Sequence, residues 1–165
     1  MVRGTWLTLQ ALGPWREPGT FRTWGTGVTA GHFGHSVDDV TPSSHRTVLV
    51  VDGANVVGAR PDGWWKDRAG AAARLHDALL HADVPHQEIV LVLEGQAKQG
   101  VRAGGPSSLR VVHAAKDGDA EIRRQAALAV EAGHDVAVVT ADRALAANVA
   151  PAQVLSPTWL LDRMG

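Results

Sequence analysis

Apolar and polar positions follow two regimes that meet near His45. From Arg46 onward, short aliphatic runs alternate with stretches in which apolar residues recur every three or four positions. The runs Thr47 to Asp52, Glu88 to Leu93, Leu109 to His113, Asp135 to Thr140 and Gln153 to Leu155 predict five strands. The longest carry no polar residue inside, the pattern of parallel strands buried on both faces. Asp67 caps a predicted helix running to about His81, with Ala71, Leu75, Leu79 and Ala82 as its apolar stripe. A second starts near Asp119, turns Ile122, Ala126 and Ala129 one way, and ends at Gly133, a residue suited to a left-handed cap. Arg143 to Val149 predicts a short helix, and Trp159 to Leu161 closes the core. Gly58 to Trp65 reads as a loop, and the polar, glycine-rich Gly95 to Ser108 as a flap without regular structure.

Strands alternating with helices predict a three-layer α/β/α sandwich on a mainly parallel five-stranded sheet, because parallel neighbours need helical crossovers. Residues 1–45 sustain neither period, being thick with Gly, Thr, Ser and Pro, and predict a poorly ordered tail. Trp6, Trp15 and Trp24 keep a short hairpin around Phe21 to Val28 as the alternative, since indole is costly to leave in water.

With 165 residues the chain has room for one ordinary domain and a tail. Sixteen Lys and Arg against seventeen Asp and Glu give a formal charge of −1, so a polyanionic partner has to be held by a local patch. The absence of cysteine excludes disulfides, thiolate catalysis and Cys-ligated zinc. The broken apolar stretch at the start is a poor signal peptide, and no apolar run spans a bilayer. The expectation is a cytoplasmic protein without membrane contact.

Chemistry enters where the strands end. Asp52, Glu94 and Asp142 each follow an aliphatic run, at the carboxyl edge where parallel sheets gather ligands. Taken singly, each acid has a plain reading as a turn residue or helix cap, and the same holds for Asp117 and Asp119. A strand order of 3-2-1-4-5 changes that, because it sets Asp52 beside Asp142 with Asp119 approaching from the adjoining helix start. Carboxylates sharing one cleft repel each other unless cations neutralise them. Oxygen-only ligands select Mg²⁺ or Mn²⁺, and a pair of such ions about 4 Å apart activates water for phosphodiester hydrolysis. Thr140 is placed to donate to phosphate or to Asp142, while Arg60, Lys66, Arg68, Lys98, Arg102 and Lys116 lie in or near loops bordering the cleft. Trp64 and Trp65 either stack bases or pack under the following helix.

Val51-Asp-Gly-Ala-Asn-Val-Val-Gly58, Asp62-Gly-Trp-Trp65, Leu93-Glu-Gly95, Gly118-Asp-Ala-Glu-Ile122 and Val139-Thr-Ala-Asp142, in this order, resemble the NYN branch of the PIN-like nucleases, particularly its small actinobacterial members. The resemblance spans residues 47 to 162. It implies a metal-dependent ribonuclease in which Asp52, Asp119 and Asp142 match the acidic metal positions, Asn55 the polar residue beside the first, and Glu94 an acid after the second strand. Many relatives carry adjacent acids at the third motif, whereas Ala120 follows Asp119 here, with Asp117 two residues upstream. That departure bears on the second metal and on catalytic competence.

Other ligands fit less well. Gly53 to Gly58 lacks the G-x-G-x-x-G spacing of an NAD site, and no Gly-Lys-Ser/Thr follows to make a P-loop. His32 and His35 lie in the unpatterned tail; His76, His81 and His86 recur every five residues and read as surface. His113 reads as core-edge packing, with acid–base or phosphate contact as its alternative. The function expected is endoribonucleolytic cleavage of single-stranded or structured RNA. A catalytically weak RNA-binding or protein-interaction module and a nucleotide phosphohydrolase are the alternatives.

Overall fold

The aliphatic runs pair as five strands: β1 (Thr47–Asp52), β2 (Glu88–Leu93), β3 (Leu109–His113), β4 (Asp135–Val139) and β5 (Gln153–Leu155). The computed structural model describes residues 45–164. The tail, its alternative hairpin and the histidines at 32 and 35 therefore lie outside the described residues. All four pairings between these strands are parallel, as the alternation of elements requires, and the order is β3-β2-β1-β4-β5.

Side chains along a strand alternate between sheet faces, and the burial divides accordingly. Leu49, Val51, Leu91, Leu93 and Val139 face one way, against α1 (Gly53–Gly58), α2 (Arg68–Leu79) and α5 (Pro157–Leu161), from which Val56, Leu75 and Leu160 come to meet them. Val48, Val50, Val90, Val92 and Val138 face the other way, against Ile122 and Ala126 of α3 (Gly118–Glu131) and Leu145 of α4 (Arg143–Ala147). The result is a three-layer α/β/α sandwich.

Three local expectations need correction. The segment after Asp52 is a helix and not a turn, because the Asp52 carboxylate accepts the Asn55 N–H as a cap and Val56 is fully buried. Gly95 to Ser108 has structure: a 3₁₀ helix at Gly95–Gln99, then an antiparallel bridge between Gly104 and Val111. It is held because Ala97 and Val101 pack on the core, with Gly100 against the Ala69 backbone, where a Cβ has no room. Of the three evenly spaced histidines only His81 is exposed; His86 is half-buried, edge-on to Trp159 with ring centroids 6.0 Å apart. Among the described residues no helix is long and apolar enough to cross a membrane.

Candidate active site

The carboxyl edge of the sheet is built around Asp52. Val51 pairs with Val139 in the β1–β4 ladder, so the next residues, Asp52 and Thr140, emerge side by side. Both are 4% exposed. The Asp52 carboxylate takes three donors: the Asn55 backbone N–H at 3.1 Å, the Asn55 side-chain amide at 2.6 Å and the Thr140 hydroxyl at 3.0 Å. Because the Asp142 N–H donates to the same Thr140 oxygen at 3.1 Å, the hydroxyl proton is directed to Asp52. One hydroxyl thus ties the ends of β1 and β4 together. Gly53 is needed beside this junction, since a Cβ there would stand 2.7 Å from the Val92 carbonyl oxygen.

Three of the acids do cap helices. Asp52 caps α1, Asp117 accepts the Asp119 N–H at the start of α3, and Asp142 accepts the N–H groups of Ala144 and Leu145 at 2.7 and 2.9 Å at the start of α4. The α3 helix therefore begins at Gly118, with Asp119 inside its first turn and not at its threshold. Glu94 approaches from β2, accepting the Gly118 N–H at 2.9 Å. Gly118 permits this, since a Cβ would come within 2.7 Å of the Glu94 carboxylate.

The charges meet at Asp119. Its carboxyl is held above the ordinary carboxylate range, first by burial and then by the negative charge of Asp142, Asp117, Asp52 and Glu94, in decreasing order. Each neighbouring carboxylate disfavours its ionised form. No lysine or arginine among the described residues forms an ion pair with any of these five acids. Asp142 and Glu94 each keep one carboxylate oxygen, and Asp119 both, without a protein donor among the described residues. The all-oxygen donor set and the unrelieved charge fit a hard divalent cation. Among the described residues, however, no three acids or histidines are posed to hold a metal ion among themselves. An ion there would draw on at most two of these side chains and keep waters on its other positions, the habit of Mg²⁺.

The basic residues distribute less evenly. Lys98 is committed to the fold, donating to the Ala114 carbonyl at 3.1 Å. Arg60 lines a separate hollow between α1 and α2, with Asp62 and Arg74. Lys66, Arg102 and Lys116 are exposed, the last immediately before Asp117. His113 engages the Val101 carbonyl at 2.8 Å, the packing role, and stands apart from the acids' hydrogen bonds. Trp64 is half-buried and Trp65 58% exposed, so only the first packs. The dependence of Glu94 on Gly118 and of the β1–α1 junction on Gly53 are site features that motif reading overlooked or left open; their one sequence signal is a glycine directly beside an acid.

No protein-family model matches the chain. No curated protein matches it. Among solved structures the chain is similar to Rae1 (YacP) from Bacillus subtilis, crystallised as a single-residue mutant. The TM-score is 0.51 at 17% identity, over 72% of this chain and 74% of that one. At that identity the likeness is one of fold.

Proposed function

We propose that this chain is a metal-dependent endoribonuclease of the cytoplasm, hydrolysing RNA phosphodiester bonds at the acidic edge of the sheet. The observation that carries the reading is the convergence on Asp119 of negative charge from four other acids, none of them ion-paired among the described residues. A hard divalent cation, Mg²⁺ or Mn²⁺, supplies water activation and offsets charge on the phosphodiester oxygens. Asp119, Asp142 and Glu94 have free oxygens, any two of which would hold it with water on its other positions, and Asp117 adds charge from the α3 cap. Asp52 is the fixed member: three donors set its orientation before any ligand arrives, and Asn55 supplies two of them. RNA as the polymer is supported by the motif resemblance to NYN and PIN-like nucleases.

A catalytically weak RNA-binding module of the same fold is the second reading. Ala120 in the place of a second acid favours it, as does the absence of a three-carboxylate grouping among the described residues. Labelled RNA incubated with Mn²⁺ or Mg²⁺ separates the two, with Asp52→Asn and Asp142→Asn as variants and circular dichroism to check folding. The nuclease reading expects metal-dependent internal cleavage that both variants lose. RNA binding without turnover in the wild-type chain contradicts it in favour of the module; turnover of mononucleotides alone contradicts it in favour of a phosphohydrolase.

A further inference from the structure

Beside the acids lies a cavity of about 80 Å³. Ala72 and Leu93 line it, are fully buried and form its base, whereas the exposed Arg68 and Glu94 stand at its mouth. The half-buried Trp64 indole supplies a wall. The cavity is continuous with the acidic edge through two shared elements: Glu94 belongs to both, and Gly53, another lining residue, directly follows Asp52.

We propose that this cavity is a nucleobase subsite that takes one unpaired pyrimidine of an RNA strand whose backbone lies across the acids. The inference rests on the RNA reading given above. Its apolar base and aromatic wall suit the faces of a planar ring, and stacking on an indole serves any base because every base has a π-face. Size narrows the choice. A closed apolar cavity of about 150 Å³ takes one benzene. A pocket about half that size with a solvent-facing mouth seats a ring part-way, and leaves less of a single-ring pyrimidine outside than of a double-ring purine. A paired base cannot enter without leaving its partner, so the subsite selects single strands.

Arg68 completes the chemistry. Its guanidinium lies over one face of the Trp64 ring, 5.5 Å from the centroid, so that an entering base meets the indole together with this cation, and it has no hydrogen-bond or ion-pair partner among the described residues. Its planar donors are free for a pyrimidine carbonyl or the adjoining phosphate. Trp65, edge-on to Trp64 at 6.1 Å, extends the aromatic surface outward.

The test is equilibrium binding of labelled oligouridylate, oligoadenylate and a duplex RNA in Ca²⁺, followed by cleavage of the same RNAs in Mn²⁺. The wild-type chain is expected to prefer oligouridylate to oligoadenylate, and either to the duplex. Trp64→Ala is expected to weaken oligouridylate binding about tenfold or more, the scale of one lost stack. Trp64→Phe keeps most of the affinity, which covers the case in which the alanine variant does not fold, and Arg68→Ala loses a few-fold. If folded Trp64→Ala and Arg68→Ala bind and cut like wild type, the subsite is overturned while the nuclease stands. Equal affinity for the duplex overturns it too. If the wild-type chain neither binds nor cuts any of the RNAs, the RNA reading itself fails and takes the subsite with it.

Discussion

Replacing Thr140 by valine keeps the side chain's shape and deletes the hydroxyl that joins β1 to β4. Two hydrogen bonds go with it: the donation to the Asp52 carboxylate at 3.0 Å and the acceptance of the Asp142 N–H at 3.1 Å. A bond to a charged group contributes about 1.5–3 kcal/mol and a neutral one about 0.5–1.5 kcal/mol. Thr140 is 4% exposed, so water does not replace the missing partner at either end. The added methyl recovers about 0.8 kcal/mol of burial, and Asp52 keeps both Asn55 donors, so the net loss expected is about 2–3 kcal/mol. Counted over the 120 described residues, 45 to 164, that lowers the melting temperature by about 8–12 °C. The assay is urea unfolding in EDTA, so that metal linkage does not enter, with the midpoint moving and the slope unchanged. Thr140→Ser, which restores the hydroxyl, should recover most of the loss. A valine variant within about 0.5 kcal/mol of wild type, the scatter of an ordinary surface substitution, would refute the view that this hydroxyl fixes the site.

Two further outcomes follow from the geometry. Gly53→Ala places a Cβ 2.7 Å from the Val92 backbone oxygen, and overpacking against backbone should destabilise the chain by about 1–3 kcal/mol in thermal or urea unfolding. His86 is held below its ordinary value by burial, so the folded state takes up a proton less readily than the unfolded chain. Its contribution is complete above about pH 6.5 and is lost as pH falls below that toward the folded value. Stability measured between pH 7.5 and 5.5 should therefore drop more steeply for wild type than for His86→Phe, which retains an aromatic ring against Trp159; parallel slopes would show that His86 is not responsible.

The sheet was legible because its central strands carry uninterrupted aliphatic residues, and runs as short and as rich in valine as Val48 to Val51 or Val136 to Val139 favour a strand buried on both faces over a helix. The alternation with α2 and α3 makes their pairing parallel but does not by itself fix their order, which other doubly wound sheets arrange differently. Helix α1 was not legible: six residues with glycine at each end and one fully buried side chain, Val56, give no period to detect. The 3₁₀ helices at Trp64–Lys66 and Gly95–Gln99 are shorter still. At the site, the acids announced themselves by following aliphatic runs, but their hydrogen bonds did not. That Asp117 caps α3 while Asp119 sits inside it depends on where one backbone turn begins. Lys98 spends its charge on a carbonyl sixteen positions away, a contact that only the packing of the Gly95–Gln99 helix creates.

The central claim is that the acids around Asp119 are held together at a cost that a divalent cation removes. The direct measurement is the melting temperature of wild type and of Asp119→Asn, followed as Mg²⁺ or Mn²⁺ is titrated from EDTA to millimolar. An ion bound only by the folded state stabilises it by mass action, about 2.7 kcal/mol at a hundred times its dissociation constant. The account predicts that wild type rises steadily with metal, while the variant starts higher in EDTA, relieved of one repelling charge, and gains much less. A wild-type melting temperature that does not respond to either ion would contradict it.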